Sequence, residues 1–206
     1  MFDAATERLL PSHRVARVHL FRHGEVETGV ARVCRGQGDV PLSRRGQAQS
    51  HELAARHVAA FGLPDRVLTS DLARCRELAD QFGPVPEPLP WLREQHMGDW
   101  EGRTWESLSL EDGAAVSAYW GDYVNGRPTG GESWAEAARR VVAAWEALGP
   151  LEGHIVVCAH VGPIRALVCH WLGLGPGEAL RFAPTYASET RVLLAEAGAV
   201  IEKFGG

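Results

Sequence analysis

Residues 155–173 read IVVCAHVGPIRALVCHWLG. Ile155 to Ala159 is a β-branched run without polar alternation, as expected of a strand buried on both faces. Pro163 suits a first helical position, and Ile164, Leu167, Val168, Trp171 and Leu172 then recur at helical spacing until Gly173. A buried strand running straight into an amphipathic helix is the repeating step of α/β architecture. Upstream the step recurs. Val15 to Phe21 reads as a strand, followed by a helix that Ser43 opens, with Ala54, Val58 and Phe61 on one face; Arg66 to Thr69 reads as another, with a helix after Ser70. Ser133 and Glu136 make a capping box for a helix that aligns Trp134, Ala138, Val141, Trp145 and Leu148 before Gly149-Pro150 stops it. Thr190 to Glu196 and Val200 to Phe204, separated by Ala197-Gly198-Ala199, read as an edge hairpin, which offers an edge for homodimerisation. The expected fold is α/β: a three-layer α/β/α sandwich around a mostly parallel sheet. Gly83 to Gly131, rich in Pro, Gly and Trp, reads as loops and short helices covering one end of the sheet.

The chain has 206 residues, the size of one domain by the usual ~100–200 residues each, so residues 1–206 are expected to form a single domain with a lid at about 83–131. Hydrophobic residues make up 45% and charged residues 23%, outside the composition of disorder. A net charge of -5 without a basic run argues against nucleic acid or an anionic membrane as partner, so any anion site must be local. Cys34, Cys75, Cys158 and Cys169 show no C-x-x-C pairing and read as reduced structural thiols. Asp3 and Glu7 stand where a signal peptide carries positive charge, and His160, Arg165 and His170 interrupt the most apolar stretch. The expectation is a cytoplasmic, soluble protein with no membrane partner. There is no internal repeat and no low-complexity segment.

The chemistry gathers where strands end. Leu20-Phe21-Arg22-His23-Gly24-Glu25 delivers Arg, His and Gly to the carboxyl end of a strand, the end at which open α/β sheets bind ligands. Gly24 permits close backbone approach and leaves N–H groups free to face an oxyanion. Arg74 lies one turn into the helix after the second strand. His160 sits at a helix N-terminus whose dipole and free N–H groups favour a phosphate. Leu92-Arg93-Glu94 adds an acid from the loop region. Two Arg, two His and one Glu can thus converge on a single anion.

These segments resemble, in order, the motifs of the histidine phosphatase superfamily, in its branch of cofactor-dependent phosphoglycerate mutases and related small-molecule phosphatases. The resemblance runs from about Val18 to Trp171. It rests on Arg22-His23-Gly24-Glu25; Asp39-Val40-Pro41-Leu42-Ser43 with Gly46 and Gln49; Ser70-Asp71-Leu72 with Arg74; Leu92-Arg93-Glu94 with Gly98-Asp99-Trp100-Glu101-Gly102; Gly130-Gly131-Glu132-Ser133; and Ala159-His160 with Gly162-Pro163-Ile164-Arg165. It implies a phosphoglycerate mutase-like fold and a hydrolase that works without a metal or other cofactor. His23 would attack phosphorus, Arg22, Arg74 and His160 would hold the phosphoryl oxygens, and Glu94 would serve as general acid and then base. Gly24, Glu25, Gly29, Arg35 and Val161 are the implied substrate-binding positions. The family's first motif usually has Thr and Asn where this chain has Val26 and Gly29, and often Gly where it has Val161. Arg35, just before Gly36 in a loop that usually lines the substrate pocket, suits a second anionic group on the substrate.

A lone histidine near a strand end is more often a core residue, but both Arg partners and Glu94 stand in register here. His19 and His23 are spaced four apart, yet HLFRH sits in a strand-like run without an acidic ligand at zinc spacing, so no metal is expected. His51, His57, His96, His154 and His170 read as surface or helix-face residues, Trp134 and Trp145 as core, and Glu101 as structural. Glu25 reads equally as a pocket residue or a loop carboxylate. The mutases of the family are generally longer between the acid and the second histidine, where this chain has 65 residues. That favours a phosphatase of small phosphomonoesters such as sugar phosphates, phosphoglycerates or α-ribazole phosphate. Phosphoglycerate mutase and a non-catalytic phosphate-binding regulatory module are the alternatives.

Overall fold

The computed structural model describes residues 15–27, 32–196 and 198–206. Gly29, the N-terminal segment read for targeting, and Ala197 of the hairpin turn lie outside the described residues. The strands are β1 (Val15–Arg22), β2 (Arg66–Thr69), β3 (Glu87–Pro88), β4 (Gly153–Ala159), β5 (Glu189–Ala195) and β6 (Gly198–Lys203). The helices are α1 (Arg44–Phe61), α2 (Ala73–Ala79), α3 (Trp105–Gly121), α4 (Trp134–Ala147) and α5 (Val161–Trp171). The sheet order is β3-β2-β4-β1-β5-β6, parallel from β3 to β1 and antiparallel from β1 to β6. This is the α/β sandwich expected, with β6 at one edge of a mixed sheet.

Strand alternation builds the two outer layers. Ile155, Val157 and Ala159 of β4 join Val18 and Leu20 of β1 in one core with Trp134, Val141 and Trp145 of α4 and Ile164, Leu167 and Val168 of α5. Val156 and Cys158 point the other way, to Phe21, Leu53 and Ala54 of α1, and Cys75 and Leu78 of α2. All four cysteines are buried free thiols. The Ser133 capping box forms as the sequence predicts.

Three details depart from the sequence reading. Helix α5 begins at Val161 with His160 as its N-cap, so Pro163 is its third residue rather than its first. The stretch 83–131 contains a 17-residue helix, α3, rather than only loops and short pieces. Its signal is weak because Asp112 leaves helical geometry (φ -144°, ψ 56°) and re-caps the second half, its Oδ1 accepting from Ala115 N at 3.2 Å. Finally, the buried face of α1 carries Ser50, Leu53, Ala54 and His57, while Phe61 is 38% exposed. His57 is therefore a core residue, held by polar partners from β4 and β5.

No helix among the described residues is long and apolar enough to cross a membrane.

Candidate active site

The carboxyl ends of β1, β2 and β4 meet beneath the 83–131 segment. Arg22, His23, Arg35, Arg74, Glu94 and His160 line a cavity of about 60 Å³ whose wall Val26, Val40 and Tyr186 complete. That is several times the ~10–15 Å³ that a single water needs, room for one tetrahedral oxyanion.

His23 is buried, and its Nδ1 lies 2.8 Å from the Gly24 carbonyl. A carbonyl only accepts, so Nδ1 carries the proton and Nε2 keeps its lone pair. Burial, then the charge of Arg74, pushes the ring pKa down to about 3, against the opposing pull of the Gly24 carbonyl. At neutral pH this is an uncharged imidazole with a free nucleophilic nitrogen.

His160 is also neutral, held well below its ordinary pKa by burial first and by Arg74, His23 and Arg22 next. Arg74 Nε donates to its Nδ1 at 3.2 Å, so its Nε2–H donates to Ser70 Oγ at 2.9 Å. The rings of His23 and His160 lie 5.1 Å apart.

The two arginines are braced by backbone carbonyls. Arg74 donates to Gly38 O and Gly36 O, both at 2.7 Å, which with the His160 bond leaves two of its five N–H groups for other partners. Arg22 Nη1 donates to Pro184 O at 2.8 Å, and its guanidinium lies 3.9 Å from the centre of the Tyr186 ring. Arg22 Nε is buried and has no hydrogen-bond partner among the described residues.

Glu94 is fixed from two sides. Its carboxylate accepts Gly162 N at 3.0 Å, in the first turn of α5, and Gln95 N at 3.0 Å. From α4, Arg140 donates to the carbonyls of Trp91, Arg93 and Glu94 and pairs with Glu132. Arg93 adds a two-pronged ion pair to Asp71, tying the Glu94 segment to the end of β2.

Glu101 builds rather than faces the cavity. Its two oxygens accept the N–H groups of Gly36, Gln37, Gly38 and Met97 at 2.6–3.3 Å. This fastens the loop whose carbonyls brace Arg74. Glu101→Gln turns an amide NH₂ against these donors and is expected to cost about 2 kcal/mol of stability, read from urea unfolding. An unchanged urea midpoint would remove Glu101 from this role.

Several positions that the sequence reading assigned to substrate sit elsewhere. Glu25 turns to the N-terminus of α1, where it accepts Ser43 Oγ at 3.0 Å and faces Arg45 at 3.7 Å. Gly24 contributes its carbonyl, and its missing Cβ lets Gly46 approach, since a Cβ would lie 2.4 Å from Gly46 O. Neither residue, nor Val161, is among the cavity's lining residues, whereas Arg35 is. Tyr186 and Ser70 contact the central groups and carry no role in the sequence reading. Tyr186 has no motif signal, because it arrives from an irregular segment 163 residues after His23.

The buried neutral histidines make stability depend on pH. Because the folded pKa of His23 and that of His160 lie below the unfolded value of ~6.5, the unfolded chain binds more protons once the pH falls below that value. Stability is full above about pH 6.5 and falls as the pH drops toward 3, by about 1.4 kcal/mol per pH unit for each such ring. Urea midpoints at pH 7 and pH 5 should differ accordingly, and His23→Gln should flatten the slope by one ring's share. A midpoint independent of pH over this range would refute it.

The sequence profile of the histidine phosphatase superfamily (branch 1) matches residues 18–205. The chain is 35% identical over 165 residues to the adenosylcobalamin/alpha-ribazole phosphatase of Salmonella typhimurium strain LT2, covering 76% of this chain and 79% of that protein. It is 34% identical over 200 residues to a Yersinia enterocolitica protein named "Probable phosphoglycerate mutase GpmB", covering 92% of each. Among solved structures, a mycobacterial glucosyl-3-phosphoglycerate phosphatase in complex with VO3 matches with a TM-score of 0.78 at 28% identity, covering 92% of this chain and 98% of that one.

Proposed function

The chain belongs to the histidine phosphatase superfamily, and from that premise we propose that it hydrolyses small phosphomonoesters through a phosphohistidine on His23. The observation that carries this reading is the His23 ring itself, neutral, with Nδ1–H spent on Gly24 and Nε2 free beside a cavity walled by three arginines. In the first step Nε2 bonds to phosphorus as the ester P–O bond breaks, and Glu94 gives its proton to the departing oxygen. In the second, Glu94 takes a proton from water, whose oxygen displaces Nε2 from phosphorus. The loose transition state spreads charge over three oxygens. Arg22, Arg74 and His160 meet them, with the partnerless Arg22 Nε–H gaining an acceptor and His160 exchanging Ser70 for phosphate. The cations supply the charge, so the reaction takes no metal.

We read residues 1–206 as one catalytic domain, with 83–131 as its cover. A cavity sized for the phosphoryl group leaves the alcohol portion at its rim, beside Arg35 and Tyr186. Substrates such as α-ribazole phosphate and glucosyl-3-phosphoglycerate, named for the relatives, are the classes to test. Mutase activity is the second reading, raised by the Yersinia relative. The test is phosphate release in EDTA from α-ribazole phosphate, glucosyl-3-phosphoglycerate and 3-phosphoglycerate, beside interconversion of 2- and 3-phosphoglycerate with a priming bisphosphate. Release without interconversion is expected. Interconversion without release would replace the phosphatase reading with the mutase one.

A further inference from the structure

Beneath α1, on the sheet face opposite α4 and α5, three histidines meet. His19 lies four residues before His23, about 13 Å back along β1. His57 comes from α1 and His154 from the start of β4. One ring nitrogen of each lies within 4.8 Å of the other two, and the ring centres are 4.5–5.0 Å apart. His19 and His57 are buried, whereas His154 is half-buried and opens the cluster to solvent.

One carboxylate sets the orientation of two of these rings. Glu189 Oε1 accepts from Nδ1 of His19 at 2.8 Å and from Nδ1 of His57 at 3.3 Å. Its other oxygen is held by Lys203 at 3.2 Å and Arg191 at 3.3 Å. A neutral imidazole has one N–H, so the two bonds to Glu189 take the N–H at Nδ1 and leave Nε2 of each of those rings a lone pair. Yet His57 Nε2 and His154 Nε2 face each other at 2.9 Å. The lone pair of His57 Nε2 at that distance calls for something electrophilic between the two nitrogens, a proton or a metal ion. A carboxylate holding the far nitrogens of two imidazoles is also the arrangement that orients histidine ligands around zinc.

We propose that His19, His57 and His154 bind one divalent transition-metal ion of the Zn²⁺ class, His57 and His154 through Nε2, with water as fourth ligand and Glu189 orienting the rings from behind. Zinc–nitrogen bonds of ~2.0–2.1 Å set tetrahedral ligand nitrogens about 3.4 Å apart, within side-chain shifts of roughly an ångström from the distances here. The ion would pin β1, α1 and β4 together, apart from the phosphate cavity. The ligand spacing, His19 to His57 to His154, follows no local motif, and His23 takes no part.

The experiment titrates the full chain, stripped with EDTA and dialysed, with Zn²⁺ and Co²⁺. Expected are one equivalent per chain, the intense visible bands of tetrahedral Co²⁺ that Zn²⁺ abolishes, and a melting temperature raised by Zn²⁺. His154→Ala should weaken binding on the order of 100-fold or more and lose the Co²⁺ bands. His51→Ala, an exposed histidine on the same helix, should titrate as wild type. Circular dichroism establishes that His154→Ala is folded, and His154→Gln replaces it if it is not. No binding at sub-millimolar Zn²⁺, or binding that neither His154 variant weakens, would overturn the proposal and leave a proton-bridged histidine pair.

Discussion

His23→Ala should lower phosphate release by on the order of 10⁴-fold or more, the scale on which removing a catalytic nucleophile acts. The reason lies in how little else in the cavity can attack phosphorus. His160 has both ring nitrogens engaged, by Arg74 and Ser70. Cys75 Sγ approaches the His160 ring at 3.4 Å, but burial pushes its thiol pKa far up, so it carries no thiolate at neutral pH. The cations remain in the variant, so inorganic phosphate should still bind. A quench after mixing with labelled substrate should show acid-labile label on the wild type and none on His23→Ala. Label on the variant, or release within tenfold of wild type, would remove His23 as nucleophile.

The second large effect comes from a glycine outside the cavity. Gly162 donates its N–H to Glu94, and a Cβ there would sit 2.1 Å from Glu94 Oε1. Gly162→Ala must therefore push the carboxylate aside. The severe clash is with the free end of a side chain, and the Trp134 ring at 3.3 Å need give only a few tenths of an ångström, so the fold should survive, while turnover falls by about 10²–10³-fold, the usual worth of a positioned acid-base group. Glu94→Gln should match it. With p-nitrophenyl phosphate, whose leaving group needs no proton, both variants should keep the first step and accumulate phosphoenzyme, because water then lacks its base. Rates within a few-fold of wild type in both variants would place the general acid elsewhere.

The sequence made the fold legible where local chemistry and tertiary packing agree. The Ser133–Glu136 box and the unbroken apolar run Ile155 to Ala159 announce α4 and β4 because each satisfies itself locally. Helix α3 was hidden in a stretch rich in Pro, Gly and Trp, where Asp112 breaks the helical geometry and caps the second half from within. His23, Arg74, Glu94 and His160 were legible as candidates because each falls at a strand end or within a short motif. Tyr186 and Arg140 were not, since their value comes only from distant chain brought beside Arg22 and the Glu94 backbone. His57 misled for a related reason: polar residues on helices usually face water, and nothing near it in sequence shows Glu189 or His154 waiting across the sheet.

The position of β1 has a consequence for the birth of the protein. Its hydrogen-bonding neighbours are β4 and β5, so a strand made at residues 15–22 pairs with strands made at 153–159 and 189–195. During synthesis at ~5–20 residues per second, the apolar run that ends just before His23 spends roughly 7–27 s without either partner. Closing so long a loop is slow and entropically costly. Nascent chains halted before β4 should therefore be insoluble or chaperone-bound, with no phosphate-binding capacity. That capacity should appear abruptly once the last quarter of the chain has emerged.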